Sequence, residues 1–172
     1  MIILGIDPGT TSIGYAILKT NPAPHLEDAG LLTVKSADTG SRLKEVHLGV
    51  SGLIRNEKPA VFAVERLFFT KNAKTALLVS EARGVILLTT ALAGIPTFEY
   101  TPLEVKKAVT GDGKADKTQV QKIIQITLPE TRTLKARDDV FDAIAVALAC
   151  FFRERYHFKI QSPKVGKSDK FY

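Results

Sequence analysis

ILGIDPGTTSIGYAIL, residues 3–18, decides the fold. An apolar run with no helical period, residues 1–6, ends in Asp7 and turns at once through Pro8-Gly9-Thr10-Thr11-Ser12 into a second apolar run. The first run reads as a buried strand. The Pro-Gly pair breaks it, and residues 13–18 read as its neighbour. An acid at the tip of a buried strand has two chemical uses. It can hold a divalent cation, or the Gly-Thr-Thr-Ser turn beside it can cradle a phosphate.

Working outward, EDAGLLTV supplies a third strand after the turn-forming KTNPAPH, so the chain opens as an antiparallel meander. Leu43, Val46, Val50, Leu53 and Ile54 then recur at helical spacing, with Ser41 as the expected N-cap. VFAVERLFF reads as a fourth strand. Residues 75–93 read as a long apolar helix closed by Gly94, and PTFEYT as a fifth strand. PLEVKKAV and KTQVQKIIQIT are amphipathic helices on either side of TGDGKAD. A last helix starts at Asp138 or Asp139 and runs through VFDAIAVALACFFRER. Three strands, helix, strand, helix, strand, helices: the expectation is an α/β fold with a five-stranded mixed sheet and helices on both faces. The domain boundaries expected are 1–155 for one folded unit and 156–172 for a basic C-terminal tail.

Composition bounds the function. The chain has 172 residues, 45% hydrophobic and 24% charged, enough for one real core and short of two. The single Cys150 lies in an apolar run, and no Cys/His group has zinc spacing. No secretory signal is read, because Asp7 interrupts the opening apolar run. The helix at 75–93 carries Glu81 and Arg83, each costing roughly 2.5–3.5 kcal/mol in hydrocarbon, so it reads as a buried or interface helix of a cytoplasmic protein, not a membrane span. Net charge is +6, with Lys or Arg at 153, 155, 159, 164, 167 and 170 against Glu154 and Asp169. A basic tail is compatible with nucleic acid and equally with mere solubility.

Four acids stand out. Asp7 ends the first strand, Glu65 sits among apolar residues in FAVERLFF, and Asp139 and Asp142 are three apart on one face of the last helix. Taken singly, each has an ordinary explanation: a helix N-terminus for Asp139, a turn for Asp7, a partner such as Arg66 for Glu65. Desolvating a carboxylate is costly, however, and one cation site accounts for all four together. Hard oxygen ligands without His or Cys suit Mg²⁺, and two such ions activate water and stabilise a leaving oxygen in phosphodiester hydrolysis.

The phosphate alternative also has a likeness. GIDPGTTSIGYAIL is similar to the first phosphate loop of the sugar kinase, actin and Hsp70 superfamily. Such proteins need a second phosphate-binding half with its own Asp-Gly-Gly type loop. GDGKAD follows no apolar strand, and the chain has less than half the length required.

Four segments in order, ILGIDPGTTSIGYAIL, FAVERLFFTKNAKTALLVSEARGV, FEYTPLEVKKAVTGDGKADKTQV and DDVFDAIAVALA, resemble the signature segments of the bacterial RuvC Holliday junction resolvases over residues 2–149. The resemblance implies an RNase H-like fold, with the three antiparallel strands first and the acids gathered at the sheet's centre. It implies catalytic and metal-binding roles for Asp7, Glu65, Asp139 and Asp142, holding two Mg²⁺ that Mn²⁺ can replace. Spacing to Asp142 favours Asp139 over Asp138. Phe68 matches an aromatic pushed into the junction's base stacks, and Lys106 and Lys117 match basic residues that face DNA. Lys107 and Lys114 are added as phosphate contacts. The chain departs from the pattern at Ala149-Cys150, where members commonly carry Thr-His. The implied enzyme is an endodeoxyribonuclease that cuts four-way junction DNA in paired symmetric strokes, leaving 5′-phosphate ends. Its implied partners are a second copy in a homodimer, through the helix at 75–93, and a branch-migration motor complex. Two other readings stay open here: an RNase H-like nuclease acting on RNA or hybrids, and a junction-binding protein that does not cut.

Overall fold

The computed structural model describes residues 1–66 and 73–161. Three strands come first: β1 (Ile2–Asp7), β2 (Ser12–Lys19) and β3 (His25–Thr33). They are followed by α1 (Thr39–Glu57), β4 (Val61–Glu65), α2 (Ala73–Leu92) and β5 (Thr97–Tyr100), then α3 (Pro102–Thr110), α4 (Lys117–Thr127) and α5 (Asp138–Gln161). A short 3₁₀ turn, Pro129–Thr133, precedes α5 and was not expected from the sequence. The sheet order is β3-β2-β1-β4-β5. The meander pairs antiparallel, and β1·β4 and β4·β5 pair parallel, so the sheet is mixed.

Period-two alternation divides the core into two layers. Leu4 and Ile6 of β1 and Phe62 and Val64 of β4 face α1 and α2, where Val46, Val50, Ala82 and Ile86 meet them. Ile3 of β1 and Val61 and Ala63 of β4 face the other way, onto α5 and the flanking α3 and α4. Each such fully buried Leu or Ile is worth roughly 1.5–3 kcal/mol of transfer free energy. Phe62, the largest of the wholly buried side chains, is where truncation to Ala would cost most, about 3–5 kcal/mol.

Two boundaries differ from the sequence reading. Asp38, not Ser41, caps α1: its carboxylate accepts from the Ser41 backbone N–H at 2.9 Å, which places Ser41 inside the first turn. An acid three residues ahead of a hydroxyl residue competes for the same cap, and the carboxylate accepts more strongly. At the other end, α5 continues to Gln161, past the expected end at 155. Cys150 is buried on α5, and burial pushes its thiol up to about 12, as expected of an inert core cysteine.

Candidate metal centre

Strand register builds the site. In the parallel pair, Ile6 lies opposite Val64, so the last residues of the two central strands, Asp7 and Glu65, come side by side. Parity sends both carboxyl groups to the α5 face, with Ile3, Val61 and Ala63. The chain then lays α5 across that face unusually close. A Cβ on Gly5 would stand 2.5 Å from the Ala143 carbonyl oxygen and 2.8 Å from the Ala147 Cβ. A Cβ on Gly14, the residue paired with Asp7, would overlap the Asp139 carbonyl. Two glycines in buried strands therefore admit the start of α5, and with it Asp139 and Asp142, over the tip of β1.

The electrostatics record the convergence. Asp7 rises from an ordinary 3.8 to about 8: burial contributes most, then the charges of Glu65, Asp142 and Asp139, with Lys117 opposing. Glu65 rises to about 7, first through burial and then through Asp142, opposed by Lys106 and Lys117. Burial also raises Asp142, where Lys117 pulls the other way. Asp139 is among the charges that move Asp7, whereas the neighbouring Asp138 is not. The Asp138 side chain is 66% exposed and pairs with Lys117 at 3.1 Å.

Around these acids stand cationic and hydroxyl partners. Ser12 Oγ donates to Asp139 Oδ2 at 3.0 Å, and Arg137 Nη2 lies 3.2 Å from the same oxygen. Lys117 Nζ stands 3.7 Å from Asp142 Oδ2. Asp7 and Glu65 make no ion pair among the described residues. No three acidic, His or Cys groups among the described residues stand as a ready-made ligand cage. Asp139 is engaged by Arg137 and Ser12, and Asp142 faces Lys117. The donor set nevertheless fits a hard divalent cation. It is all carboxylate, it is partly dehydrated, and its two most buried members, Asp7 and Glu65, make no direct ion pair among the described residues.

A cleft of about 230 Å³ opens beside the acids, with Glu65, Asp142, Lys106 and Lys117 on its walls and Val105 and Phe141 among its apolar lining. Lys106 and Lys117 thus flank the carboxylates. Lys107 faces a separate groove, with Leu103, Glu104 and Arg153. Lys114 is exposed in the loop after α3, its backbone N–H donating to Asp112 at 2.8 Å. Phe68 lies outside the described residues. Sequence reasoning missed Gly5, Gly14, Ser12 and Arg137. An isolated glycine within a strand pattern is itself a signal of close backbone approach, and it would have found the first two.

A mixed five-stranded sheet with acids on its two central parallel strand tips, and a helix laying two more over them, is the RNase H-like arrangement. The comparisons narrow the class. The family model for crossover junction endodeoxyribonuclease RuvC matches residues 3–150. The chain is 45% identical over 149 residues to the Pseudothermotoga lettingae crossover junction endodeoxyribonuclease RuvC, covering 86% of this chain and 91% of that one. It is 47% identical over 150 residues to the Moorella thermoacetica protein of the same name, covering 86% and 89%. Among solved structures, T. thermophilus RuvC in complex with a Holliday junction substrate superposes with a TM-score of 0.82 at 28% identity, covering 91% of this chain and 96% of that one. The chain belongs to the RuvC family of crossover junction endodeoxyribonucleases. The kinase and chaperone reading of the opening turn falls with that assignment.

Proposed function

We propose that this chain is a metal-dependent endodeoxyribonuclease that resolves four-way DNA junctions by paired, symmetric strand cuts during recombination and repair in the cytoplasm. The observation that supports the site assignment is that the charges of Glu65, Asp142 and Asp139 all act on the buried Asp7 at the tip of β1, beside a cleft lined by Glu65, Asp142, Lys106 and Lys117. In this reading those four carboxylates hold the cations. Two Mg²⁺ or Mn²⁺ ions, when bound, supply an activated water and a stabilised leaving 3′ oxygen. The chain's own part is to place the phosphate. Lys106 and Lys117 reach the scissile backbone from the cleft wall, Lys107 and Lys114 hold phosphates further out, and Phe68 serves in the base stacks.

Paired cuts call for two sites related by a two-fold axis, hence a homodimer. The outer face of α2 supports that reading: Leu77, Leu88 and Leu92 are 62%, 58% and 73% exposed. The family resemblance adds a branch-migration motor as the machine it works beside.

The deciding experiment is Asp7→Asn on a synthetic four-way junction. Removing a carboxylate at the junction of strand tip and α5 abolishes cutting, while the gel shift with the junction persists. Loss of binding together with cutting overturns the assignment of Asp7 to the chemistry. Equal cleavage of a linear RNA–DNA hybrid in competition overturns the substrate.

A further inference from the structure

Glu65 is the last residue of β4, and its backbone lacks a strand partner on one side. The N–H groups of Phe62 and Arg66 both donate towards β5, to Pro96 and Tyr100 at 2.9 and 2.7 Å. Alternation therefore turns the Glu65 carbonyl towards β1. There the strand has ended, and the next residue is Pro8, which has no N–H to give. The donor comes from elsewhere. Arg83 of α2 reaches up from the opposite face of the sheet, and its Nε donates to the Glu65 carbonyl at 3.3 Å. Its side chain is 19% exposed, and its Nη2 is engaged by the Glu99 carboxylate on β5. Arg66 Nε stands 4.0 Å from the same carboxylate.

We infer that Arg83 is a positioning residue for the metal centre. Its guanidinium ties the end of β4 to α2 and β5 and so fixes the direction in which the Glu65 carboxylate points. Arginine is the fitting residue for this double task. Its planar fork gives one N–H to a carbonyl while others hold a carboxylate, a division that a lysine ammonium makes without fixed geometry. Glu99 in turn sets the rotamer of Arg83 and compensates its charge, as an outer-shell carboxylate does for a ligand's support. An arginine in the middle of an apolar helix, which the sequence presents only as an obstacle to membrane insertion, thereby gains a role.

This inference rests on the proposed assignment of Glu65 to cation binding, and the test separates the two. Arg83→Lys keeps the charge and loses the Nε–H donor, and Glu99→Gln keeps the shape and loosens the arginine. Mn²⁺ binding to the purified protein is followed by calorimetry, with junction binding in the presence of chelator, thermal stability, and kcat and KM for junction cleavage read alongside. Expected for Arg83→Lys is a loss of about 10- to 100-fold in Mn²⁺ affinity and in kcat. Junction affinity and KM stay within about twofold of the parent, and Glu99→Gln gives the same pattern in milder form. Unchanged Mn²⁺ affinity and kcat in folded Arg83→Lys overturn the positioning role. So does a loss that merely tracks the unfolded fraction in the melting curve. If the unaltered protein itself binds no Mn²⁺, or Glu65→Gln leaves Mn²⁺ affinity intact, the metal assignment of Glu65 fails instead, and the two failures are told apart.

Discussion

At Asp7 the cost of the site is concentrated in one side chain. Its carboxyl is shifted from 3.8 to about 8, and Glu65 beside it to about 7. Both shifts are upward, so in the cation-free protein the folded state holds protons that the unfolded chain has already released. Their contribution to stability is therefore fully present below the unfolded values near 4 and is lost as pH rises through the folded values at 7 and 8. A melting series in chelator should show Tm declining between pH 5 and pH 8, and Mn²⁺ should restore it at the upper end, because a ligand that binds only the folded state stabilises it. Asp7→Asn removes the largest contribution. It should flatten the profile and raise stability at pH 8 by about 1–2 kcal/mol, in the usual range for relieving a strained functional site. A profile that is flat in the parent, or a variant no more stable than the parent at pH 8, would contradict the account. The sequence disclosed Asp7 through the interruption of an apolar strand, and Asp139 and Asp142 through helical spacing. It did not disclose Ser12 or Arg137 as the partners of Asp139, because those contacts join residues 127 apart or depend on a side-chain rotamer. Between the adjacent Asp138 and Asp139 it offered only the three-residue spacing to Asp142, which favours Asp139.

Between elements, the decisive contact is the approach of α5 to β1 and β2. Gly5 and Gly14 occupy the two places where a side chain would strike the backbone of α5. The obstacle at Gly14 is the Asp139 carbonyl, a backbone atom of the helix start that cannot swing aside as a side-chain end can. Gly14→Ala should therefore push the first turn of α5 away from Asp7. The expected cost is about 1–3 kcal/mol, as for an overpacked core, together with a loss of cleavage larger than the loss of folded protein. A urea titration run beside a cleavage assay on the same preparation checks both. Full activity in a folded Gly14→Ala protein would show that the helix start need not sit where it does. Most elements were legible: the central strands as short continuous apolar runs bounded by turn residues, α3 and α4 as amphipathic helices. The errors fell where local rules compete. Asp38 and Ser41 both make good caps, and the 3₁₀ turn at Pro129–Thr133 has no period to read.

For the molecule as a whole, the opening meander followed from a simple constraint, three strands joined by short turns, and each later strand uses a helical crossover to lie parallel; the placement of β4 beside β1 is given by the structure alone. What no single-chain pattern could fix is how copies associate. Helix α2 is apolar on both sides. Ala82 and Ile86 lie buried against the sheet, while Leu77, Leu88 and Leu92 point outwards with Leu48 of α1 also exposed. The ion pairs Arg42–Glu81 and Arg83–Glu99 tie α2 into its own chain, so neither Glu81 nor Arg83 is left to oppose a partner on the outer face. The double variant Leu88→Glu/Leu92→Glu tests whether this face makes the proposed homodimer. Both side chains are exposed in the single chain, so the folded monomer should lose no more than about 0.5 kcal/mol. Apposed across a two-fold axis, four added carboxylates would be desolvated close together, which an interface core does not tolerate. Sedimentation should then report the 18.8 kDa monomer for the variant against twice that mass for the parent. On a junction carried in a supercoiled plasmid, the parent should release linear product by paired cuts, and the variant should accumulate the singly nicked form. A variant that still sediments as a dimer would move the interface to another face of the molecule. A monomeric variant that still makes paired cuts would remove the need for one.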